Sequence, residues 1–324
     1  MLDGDRESLT RDLQQDMPSS TDLQMIARIL GLAAPCIASN LLWFLMQVLT
    51  QAYVGQRLGK DAVGCYAVGT SIFNVCGLSV GIGFACALDT LASQAYGRDP
   101  TGPQIGELLQ RSVLVVTLIS IPIVCLFHFS EPVLILIFGS VIGTGAAEVL
   151  RGAWLYLPLN MINTCIVKVL QAQNVPHLQL FATGTSVAAC LFFNRWLVHS
   201  SLLEAMTVLT LSHTVLLCAL VMTCYLHPKV VLRYAEWPLS PNVCERAAMR
   251  QFMSVGFAAF VSVCSEWWAF EALMIIAAQI STADVTLLGL CFSVTTLCFS
   301  LPFGFSMAST VTVANNCRWG TFCA

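Results

Sequence analysis

Long runs without a single charge set the limits on this fold. Asp61 and Asp89 bracket 27 uncharged residues, Lys168 and Arg195 bracket 26, and 33 lie between Asp284 and Arg318. A helix needs roughly 20 apolar residues to cross the hydrocarbon core of a bilayer. It closes its own backbone hydrogen bonds, which hydrocarbon requires because no water is there to satisfy them. Composition agrees. Charged residues make up 10% and hydrophobic ones 57%, against about 25% and 45–50% in a soluble globular protein. Nine of the charges fall within residues 1–28. Too few remain to cover a soluble surface, so the chain reads as an all-α polytopic membrane protein in contact with lipid. The net charge of −3 gives no electrostatic support to nucleic-acid binding.

The 15 cysteines are odd in number and form no C-x-x-C pair, so neither a zinc motif nor a thioredoxin-like motif is present. Most lie inside apolar runs, where a thiol is a small apolar filler. No Asn-x-Ser/Thr site marks an extracellular loop.

Eight spans follow from the charge-free runs. Residues 1–24 form an acidic tail ahead of them, too polar at its start for a signal peptide. Spans are expected at about 29–49, between Asp61 and Asp89, between Arg111 and Glu131, at 153–169, between Lys168 and Arg195, at 205–226, at 252–278, and within 285–317. The apolar piece 133–138 after Pro132 is too short to cross. A polar connector at 227–251 separates spans six and seven. Basic residues divide eleven to four between the two sides of this topology. The positive-inside rule then puts the N-terminus, and with eight spans the C-terminus, in the cytoplasm. An internal echo points to two parallel units. Gly83-Phe84-Ala85-Cys86-Ala87 in span two resembles Gly304-Phe305-Ser306-Met307-Ala308 in span eight, an offset of 221 that sets Asn315 opposite Gln94.

The residues that stand out chemically are in span seven, Glu266-Trp267-Trp268-Ala269-Phe270-Glu271. A charge at a helix centre costs roughly 2.5–3.5 kcal/mol on insertion, so two acids in one span need a reason. A desolvated carboxyl can load and release a proton, as membrane proton relays do. The plainer alternative is a structural hydrogen bond to a neighbouring helix. Five residues separate the acids by about 7.5 Å along the axis and about 140° around it, so only a wide cavity or a bent helix would let both face one space. Trp267 and Trp268 either form an aromatic wall suited to an organic cation or supply packing bulk. Asn40 and Asn74 either line a pathway or link helices. Asp89 reads as a helix-end structural carboxylate, and His128 and His213 as satisfied helix contacts. No Ser/His, metal-ligand or Asp-Asp constellation suggests an enzyme.

Several stretches carry a family resemblance. Asp89-Thr90-Leu91-Ala92-Ser93-Gln94-Ala95-Tyr96-Gly97 resembles a signature of the multidrug and toxin extrusion (MATE) family. Leu109-Gln110-Arg111-Ser112, Glu266-Trp267-Trp268-Ala269-Phe270-Glu271 and Pro302-Phe303-Gly304-Phe305-Ser306 look like its vertebrate branch. The resemblance runs from about residue 25 to 315. It implies two six-helix lobes around a central cavity, with alternating access and exchange of a proton for an organic cation. A proton is then the coupling ion, with no other cofactor. On this resemblance Glu266 and Glu271 match acids tied to cation recognition and proton coupling, Asn74 a cavity amide, and Asn40 a position where relatives carry glutamine. Asp89, Gln94, Gln110 and Arg111 belong to the structural motifs.

The expected layout is an acidic tail at 1–24, a complete N-lobe at 25–226, the connector at 227–251, the first two C-lobe helices at 252–315 and a divergent end at 316–324. Phe292 and Ser293 stand where relatives carry Tyr-Glu, and Phe270 and Phe299 replace tyrosines. The functional expectation is a proton-coupled exporter of organic cations and xenobiotics in the plasma membrane, shortened at its C-terminus. Such a chain is expected to transport poorly alone and to self-associate through its incomplete C-lobe. The other readings are an inactive or regulatory fragment and, from another class, a multi-span receptor or scaffold.

Overall fold

The computed structural model describes residues 22–100, 102–227, 230, 241–280 and 282–316. Among them the chain is helical throughout, with no strand. Helix α1 (Asp22–Leu58) leads through Gly59, whose φ of 90° suits a residue without a Cβ, into α2 (Lys60–Phe73). A π segment (Asn74–Leu78) joins α2 to α3 (Ser79–Ala85), and α4 (Ala87–Arg98) continues the same rod. Then come α5 (Gln104–His128), α6 (Glu131–Gly152), α7 (Tyr156–Ala172), α8 (Pro176–Leu197) and α9 (Leu202–Leu226). A short 3-10 turn (Pro241–Cys244) precedes α10 (Arg246–Ile280) and α11 (Thr282–Asn316).

The expected spans map onto α1, the α2–α4 rod, α5, α7, α8, α9, α10 and α11. Six helical stretches are long and apolar enough to cross a membrane, and one of them is Glu131–Gly152. That stretch is not a straight rod. Gly139 has φ 81° and ψ 170°, which breaks the helix. A Cβ on Gly143 would lie 2.6 Å from the Ile135 Cα, and Arg151 pairs with Glu131 at the opposite end. Residues 131–138 therefore double back on 140–152. The second half of α6 runs on into α7 through residues 153–155. The i→i−4 ladder carries across, with Ala153 N–H on the Val149 carbonyl at 3.1 Å and Leu157 N–H on the Ala153 carbonyl at 3.0 Å. The sequence start at Ala153 thus captures the inner part of a longer kinked span.

Between α8 and α9 the turn is fixed locally by a capping box. Glu204 N–H donates to Ser201 Oγ, and the Glu204 carboxylate accepts from the backbone N–H groups of Ser201, Ser200 and His199. The core of the first nine helices is close-packed around Tyr156, Phe127, Met46 and Leu157.

Helices α10 and α11 dock on this body at two crossings. Helix α10 lies on α3. A Cβ on Gly83 would fall 2.5 Å from the Phe260 Cα, and Phe84 and Phe260 stack at 5.5 Å. Helix α11 lies on α1 and α4, with Gly304 pressed against Ile37. Gly83 and Gly304 are the leading residues of the echoed pentapeptides. Each permits one close approach between the two units, the second span of either unit meeting the first span of the other. Small residues at such crossings let helix backbones approach closely.

Candidate functional site

Three polar groupings lie inside the bundle. The first centres on the π segment of the α2–α4 rod. Ser79 N–H reaches back five residues to the Asn74 carbonyl, which widens the turn. The Val75 carbonyl then accepts both the Ser79 hydroxyl at 2.7 Å and the Trp268 indole N–H at 3.1 Å. Cys264 donates to Ser79 Oγ at 3.3 Å. Trp267 packs half-buried against the core beside Phe260. Trp267 therefore packs on the core, and Trp268 ties α10 to the π segment while its side chain stays half exposed.

Glu266 does not share that stripe. It lies about 200° around α10 from Cys264, is exposed, and has no hydrogen bond or ion pair among the described residues. Asn74 and Asn40 are half-buried, and their amides have no side-chain partner among the described residues. The structure thus brings Trp268 to the segment that Asn74 opens, and leaves Glu266 and both amides without side-chain partners among the described residues. The side chain of Glu271 lies outside the described residues.

The second grouping was not picked out by sequence reasoning. Gln47 on α1 donates to the Tyr156 hydroxyl at 2.9 Å. Asn160 on α7 donates to the same oxygen at 3.4 Å and meets His213 Nε2 on α9 at 3.2 Å. His213 Nδ1 lies 3.0 Å from the Leu209 carbonyl. A carbonyl only accepts, so Nδ1 carries the hydrogen and Nε2 accepts from Asn160. Ser186 donates to the Ser212 carbonyl at 2.8 Å, and Asn163 to the His213 carbonyl at 3.0 Å. His213 is 1% exposed. It is a satisfied helix contact, as its isolation in sequence suggested. What the sequence could have offered was the shared i, i+4 face of Tyr156 and Asn160.

The third grouping pairs Asp89 on α4 with Lys168 on α7. Lys168 Nζ donates to Asp89 Oδ2 at 2.7 Å, with side chains 7% and 14% exposed respectively. Read singly, these were a helix-end carboxylate and a span-end charge. Of the other motif residues, Gln94 is exposed and Gln110 buried. Arg111 is buried and donates to the Val243 and Asn242 carbonyls, both at 2.9 Å, while Asn242 donates to Glu107 at 3.0 Å. The arginine fastens the 3-10 turn ahead of α10 to the start of α5. No cluster of three or more His, Cys, Asp or Glu residues that could hold a metal ion occurs among the described residues.

A bundle of apolar helices that cross at matching glycines, with polar groups held inside it, defines an all-α multi-pass membrane protein. The MatE family model matches residues 35–197 and 258–317, and the chain belongs to that family. It is 28% identical over 327 residues to protein DETOXIFICATION 16 of Arabidopsis thaliana, covering 96% of this chain and 64% of that protein. It is 25% identical over 306 residues to multidrug and toxin extrusion protein 1 of Xenopus tropicalis, covering 90% and 50%. Among solved structures, that of the eukaryotic MATE transporter AtDTX14 superposes with a TM-score of 0.82 at 23% identity, over 90% of this chain and 65% of that one. The chain thus spans between half and two thirds of the length of these relatives.

Proposed function

We propose that the chain works as a proton-coupled antiporter that exports organic cations by alternating access. Glu266 is the proton site on this reading, and Trp268, Asn74 and Asn40 border the cation path. The observation that carries it is the exposed carboxylate of Glu266, which has no partner among the described residues. A carboxylate in a span that is not committed to a neighbouring helix is free to exchange a proton for a cation, and an indole face adds cation–π attraction. Glu271 joins it on the family resemblance. The eleven-to-four basic asymmetry supports a cytoplasmic N-terminus. We assign the protein to the plasma membrane and, from the motifs of α4, α5, α10 and α11, to the vertebrate-type branch.

A second reading is favoured by the exposed Phe257, Leu273, Ile276 and Leu301 on α10 and α11. On that reading the chain by itself binds but does not transport, and regulates a transporter. Uptake of a fluorescent organic cation into proteoliposomes separates the two. Saturable uptake driven by a pH gradient, lost in Glu266→Gln and weakened in Glu271→Gln, supports the antiporter. Glutamine keeps the shape but cannot titrate. Cation binding with no uptake supports the second reading. Normal coupled uptake by Glu266→Gln rules out the proton-site role.

A further inference from the structure

Lys168 and Asp89 both belong to the first nine helices, yet a helix of the other unit covers them and leaves Asp89 little exposed. Met307 Sδ on α11 lies 3.5 Å from Lys168 Nζ. Leu32, Cys36, Ala308 and Val311 close the same seam, and one turn before Met307 Gly304 presses on Ile37. The pair is incompletely satisfied. Asp89 Oδ1 is buried with no hydrogen-bond partner, although an ionised carboxylate offers about four acceptor positions.

We propose that Asp89 and Lys168 are positioning residues of the transport cycle, an ion pair that α11 must strip of water each time this end of the bundle closes. The inference rests on the alternating-access reading. Burying a charge pair costs solvation that its own attraction often fails to return. The apolar side chains of α1 and α11 favour closure, and the half-satisfied pair opposes it. If α11 lifts away, water reaches Oδ1 and the ammonium, and the opposition disappears. A seam built only of Leu32, Cys36, Met307 and Val311 would close and stay closed. With the pair beneath it, open and closed states come nearer in free energy, which a helix bundle that must alternate between two packings requires.

The chain's own cysteines report on this. Cys36 at the seam is 3% exposed, Cys165 inside the first unit is 0% exposed, and Cys125 is exposed. Maleimide attack needs a hydrated thiolate. The rate of N-ethylmaleimide labelling at Cys36 therefore measures opening of the seam, Cys165 reports unfolding of the first unit, and Cys125 normalises the reagent. The experiment uses the full chain in proteoliposomes, with each cysteine followed by mass spectrometry. In Asp89→Asn/Lys168→Met no charge remains to be stripped, so Cys36 labelling should fall about tenfold, the ratio equivalent to about 1.4 kcal/mol, with Cys165 unchanged. In Lys168→Met alone a bare carboxylate is left, and Cys36 labelling should rise by a similar factor. If Lys168→Met also exposes Cys165, that variant has unfolded and the double variant decides. A double variant that labels Cys36 at or above the unmodified rate while Cys165 stays protected overturns the proposal, since a purely structural pair would leave the seam rate alone. The assay needs neither cation nor pH gradient. Failure of the antiporter reading would appear in uptake, and failure of this proposal in labelling.

Discussion

The first nine helices and the α10–α11 pair treat the ionisable groups inside their helices in opposite ways. In the first unit Gln47, Tyr156, Asn160 and His213 are tied to one another across α1, α7 and α9. Asp89 is matched by Lys168. In the second unit Glu266 stands exposed without a partner among the described residues. Large apolar side chains on α10, such as Phe257 and Leu273, are exposed as well. A polar group already committed to a neighbour holds helices together, whereas an uncommitted one is available to a ligand or proton. Beyond the seam effect proposed for the ion pair, substitutions in the first unit should therefore register as stability, and those at Glu266 as activity.

The ion pair should give the largest stability effect. Lys168→Met leaves the Asp89 carboxylate buried alone and should cost about 3–5 kcal/mol. Thermal unfolding in detergent micelles would show it, and restoration in Asp89→Asn/Lys168→Met would identify the lone charge as the cause. His213→Ala comes next. It opens a cavity and removes two hydrogen bonds, for about 2–3 kcal/mol in the same assay. An unchanged midpoint would mean that the mid-span network contributes nothing to the first unit. Trp268→Phe removes only the hydrogen bond to the Val75 carbonyl and keeps most of the packing, so about 0.6 kcal/mol is expected. The smallest change, within about 0.5 kcal/mol, is expected for Glu266→Gln, because an exposed side chain without partners contributes little to folding. If Glu266→Gln lowered the midpoint as far as His213→Ala does, the contrast between the two units would collapse.

The two units also differ in how far their roles could be read without a structure. Helix identity was plain in both, and the glycine echo at Gly83 and Gly304 pointed to matching places in each unit. The meaning of that echo was not legible. Only the docked helices show both glycines as contact points, one on Phe260 and one on Ile37. Within α10, the angular gap between Glu266 and Glu271 was computable from helix geometry, but not which side would meet α3. Phe260, Cys264 and Trp268 took that side, and Glu266 was left on the other. Trp268, open to two readings in sequence, gains a structural tie because the π turn at Asn74–Leu78 presents a carbonyl for it to reach. Nothing in the local sequence marks that extra residue per turn.

What the sequence by itself determined is the membrane-spanning helical class and the approximate place of most of its helices. Each follows from local physics. Uncharged stretches of sufficient length must satisfy their own backbone in hydrocarbon, and breaks in charge mark where they end. What only the tertiary structure decided is which polar groups meet. Lys168 finds Asp89 across 79 residues and Asn160 finds His213 across 53. Such pairings depend on the rotation and approach of whole helices, which are set by small residues and interlocking side chains at distant crossings. A change of a few tens of degrees in one helix would give every polar side chain on it a different partner. For that reason Asp89 and Lys168 looked unrelated along the chain, and form a single buried pair in the fold.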